Sequence, residues 1–293
     1  MTLPWVNALT KKLRKPAVAG YFYPKDKEKL LELIEWSFKH KLGPGALPVV
    51  SSERVRGLIG YVVPHAGYIY SGPIAAHAYY DAASYGKPET VVIIGTNHTG
   101  YGPPISVYPE GAWEAPLGTL LVDSEFGKAI TEYSDLADLD VYAHIEEHSV
   151  EVQLPFIQYV FGGDIKIVPI VMGIHTPEAA KDLARAIVKS VERTKRDILI
   201  LASSDFNHYE PHDVTVRKDM NAISRILELD TEGFYKTMLS DNISICGPGG
   251  IMTIIEITKM LSGKATLLKH ATSGDISGDK SATVGYASIK FYI

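Results

Sequence analysis

The chain has 293 residues, 46% of them apolar and 22% charged, with a formal net charge of −5 and a single cysteine, Cys246. That composition is ordinary for a globular fold, the length suffices for a large core, and the acidic balance argues against a nucleic-acid groove or an anionic membrane surface as the main partner. One cysteine excludes an intrachain disulfide, and no unbroken apolar run approaches the ~18 residues a membrane span needs. The start, MTLPWVNALTKKLRKPAV, carries its basic residues after the apolar ones and has no long apolar centre, so it is a poor signal peptide. The expected compartment is the cytoplasm.

From Asp26 to His40, DKEKLLELIEWSFKH puts Leu30, Ile34 and Phe38 four apart with Leu33 alongside, which predicts an amphipathic helix. Residues 41–54, rich in Gly, Pro and Ser, read as a loop. Runs at 57–63, 90–95, 165–172 and 197–203 read as buried strands. Between and after them, 72–83, with Pro73 suited to a first helical turn, 177–194 and a segment containing 249–262 read as helices. Residues 111–123 suggest an inserted turn and strand, and 281–293 a final strand. Buried strands alternating with helices predict an α/β layer fold. With no repeat and no shift of composition, the expectation is one domain over 1–293, with a central, largely parallel or mixed sheet covered by helices.

Ligands of such sheets bind beyond the carboxyl ends of the strands. After Val62-Val63 comes Pro64-His65; after TVVIIG comes Thr96-Asn97-His98; after DILILAS comes Ser204-Asp205-Phe206-Asn207-His208. One such histidine reads as a turn residue. Three at matching positions meet at one edge if the strands are parallel neighbours. The stretch His144 to Glu151 carries two histidines four apart, a spacing that could bind a metal on one helix face. Ser149, however, reads as an N-cap, which puts both in the approach loop and makes His144 a solvated residue. Cys246 precedes a glycine-rich helix start, where a thiolate is favoured; the plainer reading is a small buried apolar residue. No Gly-Lys-Ser/Thr follows, so this is not a P-loop.

Imidazoles serve as metal ligands or as acids and bases near neutral pH. Two histidines and one anionic ligand leave open positions, which suits iron, zinc or copper. His65, His98 and Cys246 could supply that set, with Asp205 and His208 orienting ligands or moving protons. A serine nucleophile at Ser203 or Ser204 with His208 as base is the weaker reading, because neither lies in a Gly-x-Ser-x-Gly elbow.

The blocks PHAGYIYSG (64–72), GTNHTG (95–100), EEHSVEVQLPF (146–156), SSDFNHY (203–209) and ICGPGG (245–250) resemble, in that order, those of the Memo family. KPAVAGYFYP (15–24) and VGYASI (284–289) extend the likeness over nearly the whole chain. Archaeal and bacterial members are also called the B protein of the AmmeMemoRadiSam system, and the eukaryotic member mediates cell motility downstream of a receptor tyrosine kinase. The resemblance implies a fold similar to class III extradiol ring-cleaving dioxygenases. It implies His65, His98 and Cys246 as metal ligands, His208 and Asp205 in the same pocket, and His148 on the substrate side. The strand before His65 would stop so that the ring faces that pocket, with Gly67 and Gly72 permitting a tight backbone.

The ring-cleaving enzymes use two histidines and a carboxylate, whereas the third position here is Cys246. A softer thiolate shifts preference toward zinc, copper or a differently poised iron, so ring cleavage does not follow from the fold. The leading expectation is an iron- or copper-binding redox protein, with His208, Asp205 and His148 as catalytic groups. The expected partners are a small-molecule or peptide ligand in the pocket and partner proteins. The alternatives are a non-catalytic peptide- or protein-binding module and a zinc-dependent hydrolase.

Overall fold

Four apolar runs set the middle of the molecule, and the rest is arranged around them. The structure is a computed structural model and describes residues 13–293. Its strands are β1 (Leu13–Arg14), β2 (Leu58–Val63), β3 (Thr90–Thr96), β4 (Ile105–Val107), β5 (Ala112–Ala115), β6 (Gly118–Val122), β7 (Ala137–Leu139), β8 (Lys166–Met172), β9 (Ile198–Ser203), β10 (His208–Glu210), β11 (Lys264–Thr272) and β12 (Thr283–Tyr292). They join in one sheet ordered β1-β5-β6-β8-β3-β9-β2-β12-β10, with β11 on β12, β4 on β8 and β7 on β4. The stretch β6-β8-β3-β9-β2 is parallel throughout. Antiparallel β12 closes it beside β2. The expected single α/β domain with a mixed, largely parallel sheet is the observed one.

Both faces of β2, β3, β8 and β9 are buried, as a sheet covered by helices requires. On β3, Val92 and Ile94 point into one apolar core and Val91 and Ile93 into the other. The first core takes the helices Pro177–Thr194 and Pro248–Met260, and the second takes Lys27–Lys39, Tyr68–Ser84 and Leu154–Phe161. Within β2, a Cβ on Gly60 would sit 2.0 Å from the Ile200 carbonyl oxygen, so only glycine lets β2 and β9 approach there. Among the described residues no helix is long and apolar enough to cross a membrane.

Several local expectations differ. The predicted helix at 72–83 starts earlier, at Tyr68, which leaves Pro73 inside it rather than in its first turn. Gly72 is needed for packing against the preceding helix: a Cβ there would meet Ser37 Oγ at 2.4 Å. Gly67 has an ordinary φ of −57° and no such constraint. The segment 111–123 is a hairpin of β5 and β6. Ser149 caps no helix; its hydroxyl donates to Thr96 O at 3.1 Å and accepts from Thr96 N at 3.0 Å, tying its loop to the end of β3. His144, expected in solvent, is fully buried in a short 3-10 turn, edge-on to Tyr108 and Trp113. Arg14 holds that turn in place by donating to His144 O at 3.1 and 3.0 Å and to Glu147 O at 2.7 Å, while pairing with buried Glu151.

Candidate metal centre

Parallel strands in register bring their carboxyl ends to one edge. Val63 of β2 lies beside Ser203 of β9, and Thr96 of β3 beside Met172 of β8. His65 therefore stands level with Asp205, whose Oδ1 accepts the His65 backbone N–H at 2.8 Å. His98 leaves the neighbouring strand, and the Ser149–Thr96 tie carries His148 to the same place. The rings of His65 and His98 lie 5.5 Å apart, those of His65 and His148 5.3 Å, and those of His98 and His148 4.6 Å, the last pair stacked. Each offers a nitrogen within 4.8 Å of the other two, close enough to hold a metal ion.

Hydrogen-bond partners fix which nitrogens face inward. Buried Glu147 accepts from His98 N at 2.7 Å, from Ser149 N at 2.8 Å and from His98 Nδ1 at 2.9 Å. Burial alone would raise the Glu147 carboxyl, but the hydrogen bonds from His98 and Ser149 and the nearby imidazoles bring it down to about 2. An ionised carboxylate only accepts, so His98 Nδ1 carries a proton, and the neutral ring has its lone pair on Nε2. At His65 the Ser203 hydroxyl donates to Ser149 O at 2.6 Å and accepts from Gln153 Nε2 at 2.8 Å. Its remaining lone pair faces His65 Nδ1 at 3.1 Å, so this ring too is protonated on Nδ1 and bare on Nε2. His148 sets its Nδ1 3.4 Å from Glu147 and packs its ring 4.6 Å from Phe22. Desolvation, reinforced by the neighbouring imidazoles, lowers His65 well below the ordinary histidine value. Burial, with His98 beside it, brings His148 down to about 4. Rings held by Nδ1, with Nε2 left to face the cluster, are what a cation requires.

Cys246 also reaches the cluster. Its Sγ lies 3.0 Å from His65 Nε2 and accepts the Asp205 backbone N–H at 3.1 Å, although it is outside the set of donors that all approach one another. The helix after it was expected to favour the thiolate. Instead burial, with Asp205 adding to it, pushes the thiol well up, so without a cation the sulfur is a thiol donating to His65 Nε2. Asp205 is itself raised to about 6 by burial. His208 stands at the rim, its backbone N–H on Ser244 Oγ and its Nδ1 on Ser244 O, both at 2.8 Å. A carbonyl only accepts, so His208 Nδ1 carries a proton, and the neutral ring has its lone pair on Nε2. The next residue, Tyr209, sits in the left-handed region at φ 60°, a cost that marks a backbone held by its surroundings.

All six sequence-predicted site residues thus lie in one neighbourhood. Among the described residues neither candidate serine meets His208: Ser203 is bonded to His65, and Ser204 to Asp205 O and Gly247 N. Sequence reading missed Glu147, which stands next to a named histidine in an acidic run, and Ser203 and Gln153 in their orienting role. It also passed over His175, whose signal was available, since it follows β8 as the other histidines follow their strands.

Comparison with known proteins gives the family. The family description "Memo-like protein" matches residues 14–290. A MEMO1 family protein of Desulfurococcus amylolyticus is 62% identical over 282 residues, covering 96% of this chain and 100% of the relative. Those of Ignicoccus hospitalis and Sulfolobus acidocaldarius are 55% and 50% identical, each over 95% of this chain and covering 98% and 99% of the relative. A chain matched over nearly its whole length by these proteins, with three histidines gathered at the ends of its parallel strands, belongs to the Memo family.

Proposed function

We propose that the protein binds a redox-active metal, iron or copper, and uses it on an organic ligand held at the histidine edge. The convergence of His65, His98 and His148 to within 4.8 Å is the observation that carries this reading. In it His65 and His98 are ligands through Nε2 and His148 completes the cluster. Cys246, 3.0 Å from His65 Nε2, is within reach as a soft anionic ligand once its proton is lost. A bound metal would supply electron transfer and charge stabilisation. The chain's own groups do the rest. Glu147 and Ser203 hold the ligand rings in one tautomer, Asp205 anchors the His65 backbone, and His208 presents a bare Nε2 that can take a proton from a ligand in the pocket.

Exposed tyrosines flank the edge: Tyr21 beside Phe22, which packs on His148; Tyr101, whose carbonyl holds Asn97; and Tyr209 beside His208. They favour a small organic molecule or a peptide as the ligand. A reducing cytoplasm, the proposed compartment, would keep the single thiol available. Two rivals are tested with this reading: a metal-free binding module and a zinc hydrolase.

The test is anaerobic titration of ferrous, cuprous and zinc ions into wild type, Cys246→Ser, His65→Ala and His40→Ala. His65→Ala should lose binding of all three. Cys246→Ser should weaken cuprous binding most, because a hydroxyl is a poor ligand at neutral pH. His40→Ala, at the far end of the first helix, should match wild type. Equal binding by all four proteins would favour the metal-free module.

A further inference from the structure

Four neighbouring parallel strands end at the histidine edge, and each is followed by a histidine: His65 after β2, His98 after β3, His208 after β9 and His175 after β8. The first three are already placed. His175 touches the Cys246 side of the same site, and the strand end that leads to it packs on Asn97. Gly173, just before it, packs on the Asn97 side chain, where a Cβ would be 3.6 Å from Asn97 Nδ2. On the other side, His175 Nδ1 accepts the backbone N–H of Gly249 at 3.2 Å, three residues past Cys246. A Cβ on Gly249 would stand 2.7 Å from that nitrogen and 2.9 Å from Met172 Cε, so glycine is what lets the helix start meet the ring.

A backbone N–H can only donate, so His175 Nδ1 is the lone-pair nitrogen and Nε2 carries the proton. No described protein group accepts that proton. The tautomer is the reverse of the other three: His65, His98 and His208 are all held with Nδ1 protonated and Nε2 bare. Burial, with His98 adding to it, also lowers His175 to about 4, so the ring stays uncharged at neutral pH.

We infer that His175 is the hydrogen-bond donor of this site, giving its Nε2–H to an acceptor oxygen of the bound ligand, a carboxylate, phenolate or carbonyl, beside His98. It rests on the reading of this edge as a ligand site and deepens it, because it selects ligands that present an acceptor oxygen. His208 supplies the complementary acceptor, so the edge carries one fixed donor and one fixed acceptor.

The test uses benzoate as probe and metal-free protein labelled with 15N at histidine. Long-range proton–nitrogen correlation reads each ring's tautomer. His175 should be protonated on Nε2, and that resonance should move on titration with benzoate but not with benzylamine. His175→Gln puts an amide N–H near the Nε2 position and should hold benzoate nearly as well as wild type. His175→Asn keeps an acceptor for Gly249 N–H but lacks the far donor, and should bind about tenfold more weakly, the usual worth of one hydrogen bond to a charged group. Zinc affinity should be the same in wild type and both variants, so that a failure of the metal reading shows in the zinc arm alone. The inference is overturned by an Nδ1-protonated His175, by benzoate that does not saturate wild type, or by an Asn variant that binds benzoate as wild type does.

Discussion

Replacing Glu147 with glutamine changes one buried atom and should cost metal affinity without removing a ligand. The carboxylate receives three N–H groups: His98 N on one oxygen, and His98 Nδ1 and Ser149 N on the other. An amide keeps one oxygen. In one orientation its NH2 faces His98 N–H; in the other it faces both remaining donors. At least one buried N–H is left unpaired, a penalty of about 1–3 kcal/mol. In that second orientation the NH2 donates toward His98 Nδ1, which must then be the lone-pair nitrogen, so the ring takes the other tautomer with its proton on Nε2. Groups in this role are worth roughly 10–100-fold in metal affinity, and a loss of that size is expected for zinc measured by competition with a chromophoric chelator. Urea unfolding of the metal-free protein measures the stability part separately. If the glutamine variant binds zinc as tightly as wild type while losing the expected stability, Glu147 is only structural and the tautomer reasoning fails.

Three further outcomes follow from the fold. Gly60→Ala drives a Cβ to 2.0 Å from the Ile200 carbonyl in the middle of the sheet, so a loss of at least about 3 kcal/mol is expected in denaturant unfolding; a loss under about 1 kcal/mol would contradict the β2–β9 register. Arg14→Met leaves Glu151 without its guanidinium in a site where the pair is almost wholly buried, and should cost about 3–5 kcal/mol; an unchanged melting temperature would refute the clasp between the start of the described chain and the His148 loop. The third outcome concerns His144, which burial brings down to about 3 and whose ring nitrogens have no hydrogen-bond partner among the described residues, although the Ser106 backbone lies nearby. The unfolded chain protonates this ring near the ordinary 6.5 and the folded chain does not, so unfolding takes up a proton between those values. Its contribution to stability is complete above about pH 6.5 and falls as pH drops toward 3. His144→Phe should therefore flatten the pH dependence of stability between pH 6.5 and 4; an unaltered slope would show that the ring is protonated in the folded state.

The middle of the fold was legible because buried parallel strands are near-continuous apolar runs, and β2, β3, β8 and β9 fall within a residue of where those runs lie. His65 and His98 were legible for the same reason, since a strand end names the position of the next residue. Short strands such as β1, β4 and β7 have two or three residues, too few for any period to appear. Glu147 could not be ranked above Glu146, because only the fold turns one inward to His98 and leaves the other exposed. His144 was misread because the groups that bury it, Arg14, Tyr108 and Trp113, come from distant parts of the chain. The thiol of Cys246 was misjudged because a helix start announces itself in glycines and proline, while the burial that outweighs it leaves no local mark.

The most direct test of the metal reading is X-ray absorption at the metal edge after anaerobic loading with one equivalent of cuprous ion. Imidazole scattering should be present in wild type and lost with binding in His65→Ala, and a sulfur contribution should disappear in Cys246→Ser. An oxygen-only shell, or an imidazole shell that survives His65→Ala, would contradict a metal centre built on His65, His98 and His148.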